Sequence, residues 1–302
     1  VYAGEISVAG SASLRMSNHA GTDGGKTMAM GNQLTFTGSG EMDNGMNVAL
    51  SFILDQGDNA GVADGPFDSH SIAVSSDAMG TITFAGEGAS SAQNTIDTTA
   101  AGDIWDLWDG RNGASSKMKE SSTSDNMFTY TLPAMVDGLS VSASYVPAAG
   151  NDESDTSYAL TYTGVEGLSV SYGQADINTG VSTTEGDQTV MNASYAYGPV
   201  TVSYTNSDYD TGAANTRALA QEVTSYAVSY TVSDAISVTY GTETVESGLS
   251  TDLDAEYEKL SASYTAGGMT VSANMSEMEN GDFSTSATAD EEYVGLGVSF
   301  AF

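Results

Sequence analysis

The stretch LSVSYG, Leu168–Gly173, alternates apolar residues with serine and closes on an aromatic. Variants of it recur along the chain: LSVSASY from Leu139, VTVSY from Val200, YAVSY from Tyr226, ISVTYG from Ile236, LSASY from Leu260 and VSF from Val298. Alternation of this kind marks a strand with two unlike faces. In a soluble sheet the apolar face rests on a core, and the other face carries charge. Here the second face holds Ser, Thr, Gly, Ala and Asn, with few Lys or Glu. Leu and Ile, the residues that fill a thick core, are scarce. The apolar side therefore points outward, and the small polar side lines water.

Composition narrows the function. The chain has 302 residues, 7 of them basic and 40 acidic, for a formal charge of −33. Such a charge repels nucleic acid, so no nucleic-acid partner is expected. With 0 cysteines there is neither a disulfide nor a thiolate metal site. An apolar content of 40% is too rich for an acidic disordered chain. The abundance of Gly (34) over Pro (4) suits many turns. No apolar run is long enough for a membrane-spanning helix. VYA at Val1–Ala3 fits the tail of a signal-peptide cleavage site.

Period-two segments fall in a regular series. They cover Gly4–Ser17, Thr27–Gly40, a third carrying Val48, Leu50, Phe52 and Leu54, then Ser69–Ser76 and Gly80–Gly88. The pattern lapses, and resumes over 127–133, 138–146, 156–163, 167–176, 187–197, 199–207, 221–232, 235–245, 255–265, 268–277 and 291–302. That gives about sixteen strands, most near the ~9–11 residues that a tilted strand needs to cross a bilayer. Connections alternate in length. DNG, DAMG, AMVDG, GVEG, GP, SDA and AGG are short, whereas DNAGVADGPFD, AAGNDESD, NTGVSTTEGD, SDYDTGAANTRALA and ESGLSTDLD are long and acidic. Short turns at one end and long loops at the other are the asymmetry of an outer-membrane barrel. The expected fold is all-β: a 16-stranded antiparallel transmembrane barrel forming one domain over 1–302. Closure removes the sheet edges that lipid would leave unpaired.

Tyrosines cluster near strand ends. Tyr145, Tyr172, Tyr204 and Tyr240 close strands leaving the short turns, and Tyr162, Tyr197, Tyr230 and Tyr264 close strands returning to them. They are expected to form two aromatic girdles, one at each membrane border.

Ala89–Asp125 is the one long connection without strand pattern, and it holds both tryptophans in GDIWDLWDGRNG. Trp105, Trp108, Ile104 and Leu107 argue that it packs rather than wanders. A sixteen-strand series, a long third external loop after the fifth strand, and the terminal VGLGVSFAF together resemble the general diffusion porins of Gram-negative outer membranes. The acidic, glycine-rich character resembles alphaproteobacterial, Rhodobacter-type members. This resemblance implies a water-filled channel for small hydrophilic solutes in the outer membrane, with lipid and lipopolysaccharide around it and a homotrimeric assembly. It implies that 89–125 folds inward to narrow the channel, with loop acids facing bases on the opposite wall. Carried onto this chain, the constriction residues are Asp97, Asp103, Asp106, Asp109, Arg111, Lys117, Lys119 and Glu120 of the loop, and Arg15 and Lys259, which strand parity sends inward. Phe302 matches the family's assembly signal.

Excess carboxylate in the lumen predicts cation preference. No cofactor is required. Asp55, Asp58, Asp64 and Asp68 stand close enough in sequence to offer oxygens to a structural Ca2+, the other reading being a solvated acidic surface. His19 and His70 are the only histidines, and nothing marks a catalytic serine, so no enzyme is expected. The alternative function is a secreted or surface-layer β-rich structural protein or adhesin, against which the sorted loop lengths speak.

Overall fold

The computed structural model of the protein describes residues 5–20, 25–55, 68–108, 123–124, 126–148, 154–178, 185–210, 221–249, 252–284 and 290–301. Sixteen antiparallel strands close into a barrel. In chain order they are β1 (Glu5–Ala20), β2 (Gly25–Glu41), β3 (Asn47–Asp55), β4 (Ser69–Ser76), β5 (Gly80–Glu87), β6 (Met127–Thr131), β7 (Leu139–Val146) and β8 (Asp155–Val165). Then follow β9 (Leu168–Ile177), β10 (Gly186–Tyr197), β11 (Val200–Asp210), β12 (Gln221–Ser233), β13 (Ile236–Ser247), β14 (Ala255–Ala266), β15 (Met269–Glu279) and β16 (Glu291–Ala301). Each strand pairs with its sequence neighbours, and β1 closes on β16 from Ser11↔Ala301 to Ala20↔Glu292.

At one end the connections are as short as Glu166–Gly167 and Gly198–Pro199. Gly167 (φ 77°) and Gly198 (φ 57°) supply the positive φ that tight reversals between twisted strands require. The strands run further toward the long-loop end than alternation alone suggests: β1 reaches Ala20, β11 Asp210, β13 Ser247 and β15 Glu279. There both faces carry polar side chains, so the period-two contrast fades while the backbone ladder continues.

The molecule is inverted relative to a soluble protein. Large apolar side chains such as Ile6, Met28, Met30, Leu50, Tyr197, Leu260 and Met275 are exposed on the outer face. The buried hydrophobic cluster lies inside the barrel, where Ala101, Ile104, Trp105 and Trp108 of the long connection pack against inward side chains of the wall.

All eight girdle tyrosines occupy outward positions, in two rows that lie close together along the strands. Tyr230 sits opposite Val238, two positions from Tyr240, and Tyr264 sits opposite Ile236, four positions from it. At about 3.3 Å per residue the two rows are only ~7–13 Å apart along the strands, against an apolar band of ~25 Å. Beyond the tyrosines, toward the long loops, stand outward carboxylates: Asp176, Asp187, Asp208, Glu222, Glu246, Glu258, Glu277 and Glu292. The upper tyrosines reach toward this polar zone. Tyr172 donates to Gln174 at 3.5 Å, Tyr158 donates to the same amide oxygen, and Tyr240 bonds Glu258. Their rings stay in the apolar zone and their hydroxyls leave it.

The carboxylates stand opposite one another in register: Asp176↔Asp187, Asp208↔Glu222, Glu222↔Glu246, Glu258↔Glu277 and Glu277↔Glu292. Like charges directly opposite destabilise a sheet. Salt shortens their reach from ~30 Å at about 0.01 M to ~10 Å at about 0.1 M. The thermal unfolding temperature of the detergent-solubilised barrel is therefore expected to rise as KCl is raised between those concentrations. A constant or falling temperature would show that the ladder carries no net repulsion.

Candidate functional site

The long connection begins where β5 ends. A two-residue ladder, Ala89–Ser90 with Thr123–Ser124, closes its neck. From there the described part, 89–108, enters the barrel and runs around the inner wall. It is seated strand by strand, because a buried backbone N–H needs an acceptor.

The Ala92 N–H donates to Ser144 Oγ on β7 (3.0 Å) and the Gln93 N–H to Ser157 Oγ on β8 (3.2 Å). These two hydroxyls also bond each other at 2.7 Å. The Ala101 N–H donates to Ser225 Oγ on β12 (3.0 Å). On β13, the Glu243 carboxylate accepts from the Ile104 N–H (2.8 Å) and the Trp105 N–H (3.1 Å). Glu243 is only 1% exposed. On β14, Lys259 Nζ donates to the Gly102 carbonyl at 3.0 Å. The described part of the strap ends in a 3-10 turn, Trp105–Trp108, whose Trp108 ring meets Tyr257 of β14 (5.8 Å) and Tyr293 of β16 (6.4 Å).

Two glycines of the wall allow this close approach. A Cβ on Gly173 would fall 2.9 Å from Gln93 Cγ, and one on Gly241 would fall 2.5 Å from Ala101 Cβ. Gly173 closes the LSVSYG stretch, and on that strand Ser171 is buried and bonded to Thr161 (2.9 Å) rather than open to water. The small polar face thus has two jobs. Under the strap it supplies acceptors and clearance. Elsewhere it lines the lumen.

Among the described residues the strap leaves the wall of β1–β5 uncovered. There a cavity of about 570 Å³ is lined by Ser7, Thr37, Ser39, Ser51, Ser71 and Thr83. The strap's Asp97, Asp103 and Asp106 are exposed, with Asp103 held in a left-handed conformation (φ 48°) by exchange of two hydrogen bonds with Thr99.

The expected bases are arranged differently from the sequence reading. Arg15 and Lys259 do point inward. They flank the far end of the strap instead of facing it: Lys259 touches the strap backbone, and Arg15 donates to Tyr293 Oη through Nη2 (2.8 Å) and Nε (3.2 Å) beside Trp108. The described strap follows the wall round to β16, and among the described residues no basic cluster faces the loop acids. Sequence reasoning missed Glu243, which reads in GTETVES as one more polar residue of an alternating strand. Only the depth of its burial distinguishes it.

Asp109, Arg111, Lys117, Lys119, Glu120, Phe302, Asp58 and Asp64 lie outside the described residues, as does the side chain of Asp55. Asp68 is described and exposed, its N–H donating to the Ile53 carbonyl (3.0 Å). Among the described residues no group of three or more His, Cys, Asp or Glu side chains is placed to hold a metal ion.

A strap seated along half of a closed barrel, with a hydroxyl-lined opening left beside it, is a constricted aqueous channel. Comparison with known proteins agrees. The chain's fold is similar to that of an anion-selective porin from Comamonas acidovorans, at a TM-score of 0.72 and 15% identity over 99% of this chain and 100% of that one. It is similar to a porin refined at 1.8 Å resolution, at 0.69 and 21% over 99% and 100%. It is also similar to a mutant of Rh. blastica porin, at 0.71 and 15% over 99% and 100%. No curated protein matches the chain. A family model described as Gram-negative porin matches residues 3–302. The chain therefore belongs to the Gram-negative porin family and is a diffusion channel of the outer membrane.

Proposed function

We propose that this porin passes small hydrophilic solutes without turnover and prefers cations. The observation that carries this reading is the exposure of Asp97, Asp103 and Asp106 on the strap, in a barrel whose cavity at β1–β5 is lined by uncharged hydroxyls. Carboxylates within a Debye length of the solute path, ~8 Å at physiological ionic strength, concentrate cations. The same fold serves an anion-selective porin in Comamonas, so side chains rather than topology set the sign. We assign the tall apolar stretch on β1 and β2, with Ile6, Val8, Leu14, Met16, Met28 and Met30, to contact among three copies. The outward carboxylate border meets the headgroups of the outer leaflet, lipopolysaccharide included.

Purified protein added to a planar bilayer in KCl is expected to produce discrete conductance steps. Proteoliposomes should swell in sugars at rates that fall with sugar size. Absence of both steps and swelling would defeat the reading.

A further inference from the structure

The connection from β15 to β16 reads EMENGDFSTSATAD over Glu277–Asp290, and Phe283 is the one large apolar residue after Met278 in it. A lone ring in a polar external loop is expected to be exposed. Phe283 is instead 3% exposed. It lies in the buried cluster that joins Ile104, Trp105 and Trp108 of the strap to Tyr257, Met278 and Tyr293 of the wall. Among the described residues it is the one member of that cluster from neither the strap nor a barrel strand.

The backbone is bent to put the ring there. Asn280 (φ 54°) and Phe283 (φ 57°) are both left-handed, on either side of a single 3-10 turn, Gly281–Phe283. A positive φ is strained for a bulky side chain, and it persists only where the surroundings fix it. The foot of the loop is tied down. Asn280 Nδ2 donates to the Asp254 carbonyl (3.2 Å), the Asn280 N–H to Asp290 Oδ1 (3.1 Å), and the Ser284 N–H to the Asn280 carbonyl (3.3 Å). None of these bonds uses the side chain at 283. What the bent backbone delivers is the ring, into a cluster that holds both tryptophans of the chain. Glu243 fixes the strap backbone from the wall, and Phe283 fixes its side chains from the long-loop end. We propose that Phe283 is a positioning residue for the constriction, a peg by which the last external loop holds the strap in place. The width of the channel is thereby coupled to an external loop. This rests on the channel reading for its effect on current, whereas the seating of the strap is read without current.

Trp105 and Trp108 are the only tryptophans, so the intrinsic fluorescence of the full chain in detergent reports the seat of the strap. Phe283→Ala removes the ring and opens a cavity beside them. The docked-to-undocked equilibrium of this part of the strap should shift about a hundred-fold. Emission should move to longer wavelength and acrylamide quenching should rise, while the far-UV β signal is kept. In planar bilayers the variant should show open-state fluctuations that the unaltered protein lacks. Phe283→Leu refills the socket with an apolar side chain and should restore both the emission and the quiet current. Phe283→Gly removes the ring and the backbone strain together. A ring without a role in seating the strap predicts that Gly matches the unaltered protein, whereas the peg predicts that Gly acts as Ala does. Unchanged emission and quenching in Phe283→Ala, a Gly variant like the unaltered protein, or no rescue by leucine would each overturn the peg and leave the channel standing. Loss of the β signal in Phe283→Ala would make Phe283 a folding residue and overturn the peg as well. Absence of conductance steps in the unaltered protein would reject the channel reading, and the coupling to its width with it.

Discussion

Glu243→Leu is expected to release the inner strap. The carboxylate holds two backbone N–H groups at 2.8 and 3.1 Å in a place closed to water. Leucine fills similar space but accepts nothing, so both donors are left buried and unpaired. Hydrogen bonds to charged groups contribute about 1.5–3 kcal/mol each, and orphaned donors cost a similar amount. Even one bond's loss, at about 3 kcal/mol, shifts a docked-to-undocked equilibrium roughly a hundred-fold. The other backbone N–H seats, at Ser144, Ser157 and Ser225, are single neutral bonds nearer the strap's origin, and Lys259 adds one bond to the Gly102 carbonyl. Single-channel records of the variant should therefore show open-state fluctuations, and proteoliposomes should admit larger sugars than those made with the unaltered protein. Glu243→Gln keeps one acceptor and should fall between. Quiet records and an unchanged size limit in Glu243→Leu would mean that Trp108, wedged on Tyr257 and Tyr293, suffices to hold the strap.

The second large effect concerns selectivity. Asp97, Asp103 and Asp106 are the exposed acids of the described strap, in a chain with 7 basic residues against 40 acidic ones. Changing all three to asparagine preserves size and hydrogen-bonding capacity while removing three charges. The K+ over Cl− permeability ratio is expected to fall about three- to ten-fold, with the larger change at low salt, where charges reach further. The conductance itself should change less, because the hydroxyl wall that sets the width is untouched. A permeability ratio unmoved by the triple substitution would place the selectivity elsewhere, in the acidic external loops.

Much of this architecture is written in the alternation of the chain. Leu168, Val170 and Tyr172 turn outward and Ser169 and Ser171 inward because successive side chains of a strand must take opposite faces. Repetition of that contrast, punctuated by Gly-containing turns, locates every barrel strand. It underestimates the strands only where Asn18, Thr242 or Glu246 make both faces polar. The strap is legible as something packed, from Trp105 and Trp108, but its seat is not. Its anchors are backbone N–H groups meeting serines that look like any other serine of the inner face. Glu243 is hidden for the same reason. Among the described residues Arg15 and Lys259 do not stand opposite the strap acids. The strap instead travels to Tyr293 and meets Arg15 and Lys259 from the side. The strands continue beyond the tyrosine rows into a carboxylate edge, which a count of aromatic strand ends does not register.

Reversal potential in a KCl gradient bears on the whole reading at once. With the unaltered protein in a planar bilayer and KCl about ten-fold more concentrated on one side, the strap carboxylates predict a reversal potential with the sign of K+ diffusion, moving toward zero as total salt rises. A reversal potential with the sign of Cl− diffusion would contradict it.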